Sequence, residues 1–173
     1  MPDRIARAVM ESSCRQAMNL YLVGCDQKNI DMLLRAFAPD AVWERPGMAP
    51  MNGHSDIRSF FEAIYEKHAK TTTHGHLTRH CLTTISVTPS TEGHAEGIAY
   101  ATVYRDPAFN GTLPAAMPEP ELVVEYRDVF RQVDDTWLIW RHRAAHIFRS
   151  TRWGQQLSSD ELSTLRLASP GQN

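Results

Sequence analysis

No stretch of this chain is apolar for long enough to cross a bilayer. The opening segment, Met1-Pro-Asp-Arg-Ile5, carries charges where a secretory leader needs apolar residues, so neither an anchor nor a leader is expected. A Gly-rich phosphate loop, a Gly-x-Ser-x-Gly elbow and a Cys-x-x-Cys pair are all missing. Nucleotide cofactors and covalent serine or cysteine catalysis are therefore unsupported, and no cofactor is expected. An excess of one charge sign is also lacking: 18 Lys and Arg face 20 Asp and Glu, a formal net charge of −2. With no basic run, a nucleic-acid partner is excluded. Cysteine is scarce, and Cys14, Cys25 and Cys81 are an odd number without metal-type spacing. Free thiols in a reducing cytoplasm account for them, with Cys14 and Cys25 acting as small buried hydrophobes.

What is present is ordinary for one globular domain: 173 residues, 42% hydrophobic and 22% charged. Residues 1–153 are read as a single domain and 154–173 as a tail with at most one short helix, started by Ser158 with Glu161 in a capping-box arrangement. Cys14, Met18, Tyr21, Leu22 and Cys25 recur at helical spacing, which predicts a helix from Ile5 to Val23 with Gly24 as its stop. A short helix is expected over Ile30 to Phe37, ended by Ala38-Pro39-Asp40, then a strand over Ala41 to Glu44. Ser55 is read as the cap of a third helix, whose apolar positions Ile57, Phe60, Phe61, Ile64 and Tyr65 follow one face. The chain then turns to β character, with strands over Thr73–Thr88, Ala95–Arg105, Glu121–Val133 and Thr136–Phe148. Pro89 to Gly93 and Asp134-Asp135 supply hairpin turns, and a proline-rich loop fills 106–120. Helices first and successive hairpins after give an α+β fold: a cone-shaped, curved, mostly antiparallel sheet packed on N-terminal helices around a pocket.

Two features are chemically suggestive. Asp26 follows the first helix on the edge of its apolar stripe, so its carboxylate points inward. In Thr73-His-Gly-His-Leu-Thr-Arg-His80, positions 74, 76, 78 and 80 share one strand face. Pairing Asp26 with His76 would fix the imidazole tautomer and leave its other nitrogen as an aimed general base. The same residues also fit a helix-capping Asp26 beside an unremarkable His76, or a metal set of His74, His76, His80 and Asp26. Tyr21 is a candidate hydrogen-bond donor to a bound oxygen. Arg141 and Arg143 share a face with Trp137 and Ile139, and either could pair with an anion there. Trp43, Phe60, Tyr100, Tyr126 and His80 are the candidate pocket residues.

These segments together resemble the SnoaL-like branch of the nuclear-transport-factor-2-like superfamily. The carriers are Tyr21 to Asp26, Phe37 to Trp43, Gly53 to Ile57, Thr73 to His76, and Tyr126-Arg-Asp128 ahead of Trp137-Leu-Ile139. Scytalone dehydratase, bile-acid 7α-dehydratase, hexachlorocyclohexane dehydrochlorinase, polyketide cyclases and ketosteroid isomerase belong to that superfamily. The resemblance implies a catalytic Asp26 and His76, with His76 on the inner face. It also implies a homodimer or homotrimer and a cofactor-independent lyase or isomerase acting on a small, largely apolar, cyclic molecule. The competing expectation is a non-catalytic ligand-binding or oligomerising protein on the same scaffold.

Overall fold

The computed structural model describes residues 4–71 and 74–150; the expected tail helix and the start of the first long strand at Thr73 lie outside them. Helix α1 spans Arg4–Asp26 and buries Met10, Cys14, Ala17, Met18, Tyr21 and Leu22 along one stripe. It does not stop at Gly24. The helix runs two residues further, and Gly24 serves close packing instead: a Cβ there would lie 2.7 Å from the Leu33 backbone nitrogen. The chain reverses at Lys28, which has a left-handed φ of 54°. Asn29, not Asp26, caps helix α2 (Ile30–Leu34) by accepting the Met32 N–H.

The second helix is shorter than its apolar spacing predicts. Phe37–Glu44 forms strand β1, which takes in Ala38-Pro39-Asp40. Phe37, Ala38, Ala41 and Trp43 are all buried, and burial on the sheet outweighs the local helical pattern. Pro39 is tolerated because β1 slips register against its partner between Phe37 and Val42, where no ladder donor is required of it. After a two-residue strand β2 (Met51–Asn52), helix α3 runs Gly53–Thr71. It starts at Gly53, ahead of Ser55, and Asp56 in its first turn accepts the Asn52 N–H.

The remaining strands are β3 (Leu77–Pro89), β4 (His94–Asp106), β5 (Pro120–Val133) and β6 (Thr136–Arg149). The last three match their expected positions closely, whereas β3 starts only at Leu77, after a turn at His74; the Asp134-Asp135 turn has both residues at positive φ, as a tight hairpin requires. The sheet order is β2-β1-β6-β5-β4-β3, antiparallel throughout except for the β1–β6 pair. The sheet is curved and does not close, and Met18, Leu33, Phe37, Phe130 and Ile139 form the fully buried centre between it and the helices. The α+β architecture is thus the one the sequence pattern predicts.

Two bulges in β6 decide what faces the interior. Val129 pairs Arg141 while Phe130 pairs Ile139, leaving Trp140 as an extra residue; Val124 pairs His146 while Val123 pairs Phe148, leaving Ile147 extra. Each insertion reverses the in-out alternation downstream. Ile139 is inside, yet Arg141 is outside and His142 is inside.

The Gly24 contact is testable. Helix propensity alone favours alanine there by about 1 kcal/mol. Because the Leu33 backbone cannot yield, Gly24→Ala is expected to destabilise the fold by ~1–3 kcal/mol, read as a lower urea midpoint at unchanged slope.

Candidate functional site

A cavity of about 330 Å³ opens between α1, α3 and the concave face of the sheet, a size typical of small-molecule sites. Its apolar wall includes Trp43, Phe60, Phe61, Val103 and Val124. Tyr21 and Tyr126 also line it, and burial pushes both phenols well above their ordinary range, so they stay protonated. Trp43 Nε1–H donates to the Tyr21 hydroxyl at 3.3 Å.

The polar centre of the cavity is a histidine–aspartate pair, but the histidine is His80. Its ring Nδ1 lies 2.6 Å from one oxygen of Asp26, and its backbone N–H donates to the other oxygen at 2.9 Å. The Asp26 carboxylate can only accept, so Nδ1 is the donor of this contact and carries a proton. Both side chains retain some exposure, 17% for His80 and 13% for Asp26, and both line the cavity. Asp26 is the last residue of α1, where the helix ends on unsatisfied carbonyls and a carboxylate is disfavoured. The two N–H donors of His80 compensate it there.

The expected Asp26–His76 pairing is therefore corrected. Strand β3 begins only at Leu77, and four residues of extended chain cover about 13 Å, so one carboxylate cannot serve both positions. His76 stacks instead on His68 of α3, with ring centroids 3.9 Å apart, and is not part of the cavity wall. Nor do His74, His76, His80 and Asp26 gather: among the described residues no three metal-type side chains cluster as an ion requires.

Other candidates divide in the same way. Trp43, Phe60, Tyr126, Tyr21 and His80 meet at the cavity. Tyr100, Arg141 and Arg143 do not. Tyr100 is 37% exposed on the outer face, between the buried Ala99 and Ala101. The Trp140 bulge turns both arginines outward, and Arg141 stacks over the Trp140 ring at 5.1 Å. A second histidine–aspartate pair, His142 with Asp128, also meets at 2.6 Å, on directly opposed strand positions. It is sealed, at 0% and 1% side-chain exposure, beneath Tyr21, Tyr126 and Trp43. Burial pushes the Asp128 carboxyl up, and His142 offsets part of that rise.

Sequence reasoning also missed the charged rim. Arg45, Arg105, Glu121, His146 and Arg149 all line the cavity. An Arg45 guanidinium nitrogen lies 3.2 Å from His146 Nδ1; the guanidinium can only donate, so His146 accepts as a neutral ring. Burial and the charges of Arg45, Arg149 and Arg105 push His146 down to about 3. The one signal available was period-two alternation along β6, and the Ile147 bulge scrambles it.

With this geometry in hand, comparison with known proteins is informative. A SnoaL-like domain profile matches residues 7–143. The chain belongs to the SnoaL-like domain family. Among solved structures, hexachlorocyclohexane dehydrochlorinase LinA-type3 from Novosphingobium barchaimii superposes with a TM-score of 0.68 at 12% identity, covering 86% of this chain and 93% of that one. ActVI-ORFA from Streptomyces coelicolor gives 0.64 at 14% identity over 79% and 96% of the two chains. A Catenulispora acidiphila protein in complex with S-DNPA gives 0.64 at 17%, over 80% and 94%. At these identities the likeness establishes the fold alone. No curated protein sequence matches this member of the family.

Two expectations follow. The unfolded chain protonates His146 near 6.5, whereas the folded one does so only near 3. Between those values the unfolded state binds more protons, so this residue's contribution is intact above pH 6.5 and is lost as pH falls towards 3. His146→Gln, which keeps an acceptor for Arg45, should therefore lose less thermal stability on acidification from neutral pH than the wild type. The two pairs should also differ. Asp128→Ala strands a buried imidazole and is expected to cost ~3–5 kcal/mol, whereas Asp26→Ala, at the edge of the cavity, should cost clearly less in the same denaturation assay.

Proposed function

We propose that this SnoaL-like protein is a cofactor-independent lyase or isomerase, of dehydratase or dehydrohalogenase type, acting on a small, largely apolar cyclic molecule. The observation that carries this reading is the two-oxygen grip of Asp26 on His80 at the wall of a cavity whose apolar side is formed by residues such as Trp43, Phe60 and Val124. His80 Nε2 takes a proton from a carbon of the substrate. The C–H electron pair forms the new double bond, and the β-substituent leaves with its own pair, as halide or as hydroxide that becomes water on protonation. Asp26 stands against the positive charge that the ring gains, and holds the ring in one orientation and tautomer. Tyr21, kept protonated and braced by Trp43, faces the same space and is the assigned donor to the leaving group or carbonyl oxygen. His68 lines the cavity but is stacked on His76, which does not, and neither is assigned a part in the step.

The fold neighbours supply context. One is a dehydrochlorinase by name, and proton removal with loss of a leaving group is the chemistry this arrangement suits. A non-catalytic ligand carrier on the same scaffold is the competing reading. An imidazole held by a carboxylate at the cavity wall weighs against it, because simple apolar binding gains nothing from that device.

The test does not require the natural substrate. 5-Nitrobenzisoxazole opens to a coloured cyanophenolate when a base removes its ring C–H proton, and it probes a carbon base in an apolar pocket. Wild-type protein is expected to accelerate this opening, with His80→Ala and Asp26→Ala each slower by ~10²–10⁴ and His76→Ala unchanged. Equal rates for wild type and His80→Ala would sink the proposal.

A further inference from the structure

The cavity wall is unbalanced in charge. Among the described residues, five cationic side chains line it, Lys28, Arg45, Lys67, Arg105 and Arg149, against two carboxylates, Asp26 and Glu121. Asp26 is engaged by His80. That leaves Glu121, itself only 6% exposed, as the lone acid among the arginines. It touches Arg105 Nε at 3.0 Å, yet neither atom of that contact makes an aligned hydrogen bond, and Arg149 Nε is likewise buried without a hydrogen-bond partner among the described residues.

Topology concentrates these groups. Arg45 follows the last residue of β1, Arg149 ends β6, Arg105 is next to last in β4, and Glu121 is second in β5. Because β1 and β6 run parallel and β4 and β5 alternate, all four positions fall at one end of the sheet. The Leu122–Arg149 and Tyr104–Pro120 pairings bring Arg149, Glu121 and Arg105 side by side across three strands. His146 lies within the electrostatic reach of all three arginines and, as a neutral ring, adds no positive charge of its own. One glutamate cannot saturate the forked guanidinium groups of Arg105 and Arg149, each with five donors.

We propose that this end of the cavity is an anion subsite, and that the substrate is an apolar molecule bearing a carboxylate, held between Arg149 and Arg105 so that its reacting carbon lies towards His80. The planar carboxylate is favoured because it matches the guanidinium fork, and because the protein already places one of its own, Glu121, in that setting. This assignment deepens the reading of the cavity as a base-catalysed site and rests on it for the word substrate. The anion preference itself can be measured without turnover.

The experiment compares 2-naphthoate with 2-naphthamide, an acid and its neutral amide on one apolar skeleton, by titration calorimetry at neutral pH. Wild-type protein is expected to bind the acid about ten-fold more tightly, the worth of a charge-assisted pair, with the difference shrinking at high salt. Arg149→Gln should remove most of that difference while leaving amide binding unchanged. If that variant fails to fold, the wild-type ratio with its salt dependence and the solvent-facing Lys67→Gln, expected to weaken only the acid, decide the matter. His80→Ala should keep the acid preference. Its loss there would show that the acid sits on the His80 ring, and would overturn the subsite, as would equal binding of acid and amide by the wild type. Failure of the 5-nitrobenzisoxazole test with a persisting acid preference would remove the base and leave the subsite standing.

Discussion

The site depends on one contact: both oxygens of Asp26 are held by one residue of β3, the ring nitrogen and the backbone nitrogen of His80. A single side-chain contact could swing; a carboxylate held at both oxygens cannot do so without breaking a backbone bond as well. The grip joins the end of the longest helix to the edge strand of the sheet. It thereby sets where α1 stops, how β3 is registered against it, and which way the imidazole faces. Gly24, pressed against the Leu33 backbone, brings α2 tight under the end of the same helix. The close helix packing and the polar grip act on one three-residue stretch, Gly24 to Asp26.

Two histidine–aspartate pairs of equal length coexist in this chain, and their distances do not tell them apart. Their surroundings do. His142 and Asp128 face each other across neighbouring strands, beneath Tyr21, Tyr126 and Trp43, where no small molecule in the cavity reaches them. A buried polar pair of that kind tends to fix the register of its strands, since slipping by one residue would strand both groups in apolar surroundings. His80 and Asp26 sit at the cavity wall and keep some exposure. The aromatic layer of Tyr21 and Trp43 separates the two pairs.

The element order, the four long strands and the hairpin turns were legible because they rest on local signals: period, turn residues and caps. Asp26 was legible for a similar reason, since a carboxylate on the edge of an apolar helical stripe is a local anomaly. Its partner was not. Thr78 and His80 lie on the same face as His76, so the choice among them depends on where β3 starts, and Gly75 with its left-handed φ of 67° delays that start. Arg141, Arg143 and Arg149 were beyond reach for a different reason. Two bulges in β6 reverse the alternation twice, and a bulge leaves no mark in composition. Phe37 and Ala38 show the opposite failure, in which helical spacing was legible but burial against the sheet overrode it.

The bulges also separate the apolar hollow from its charged rim. The sheet, the helices and the apolar wall define a hollow that many reactions can share, so they say little about which one occurs. The inward turn of Arg149, produced by the extra residue at Ile147, is a local choice made at the end of a strand. So is the placing of Arg45 and Arg105 beside it, at positions where charged side chains normally reach water. Here they converge at the end of the cavity beside Glu121, and concentrated positive charge of that kind raises the local concentration of anions before any contact forms. An apolar floor, the His80 imidazole on one side and a cationic rim at the strand ends together suit the proposed guest, with an apolar body and one negative end. His80 lies on β3 and the rim residues lie on or beside β1, β4, β5 and β6, so on the proposed reading the group that takes the proton and the group that selects the guest are carried by different strands and either can change without the other.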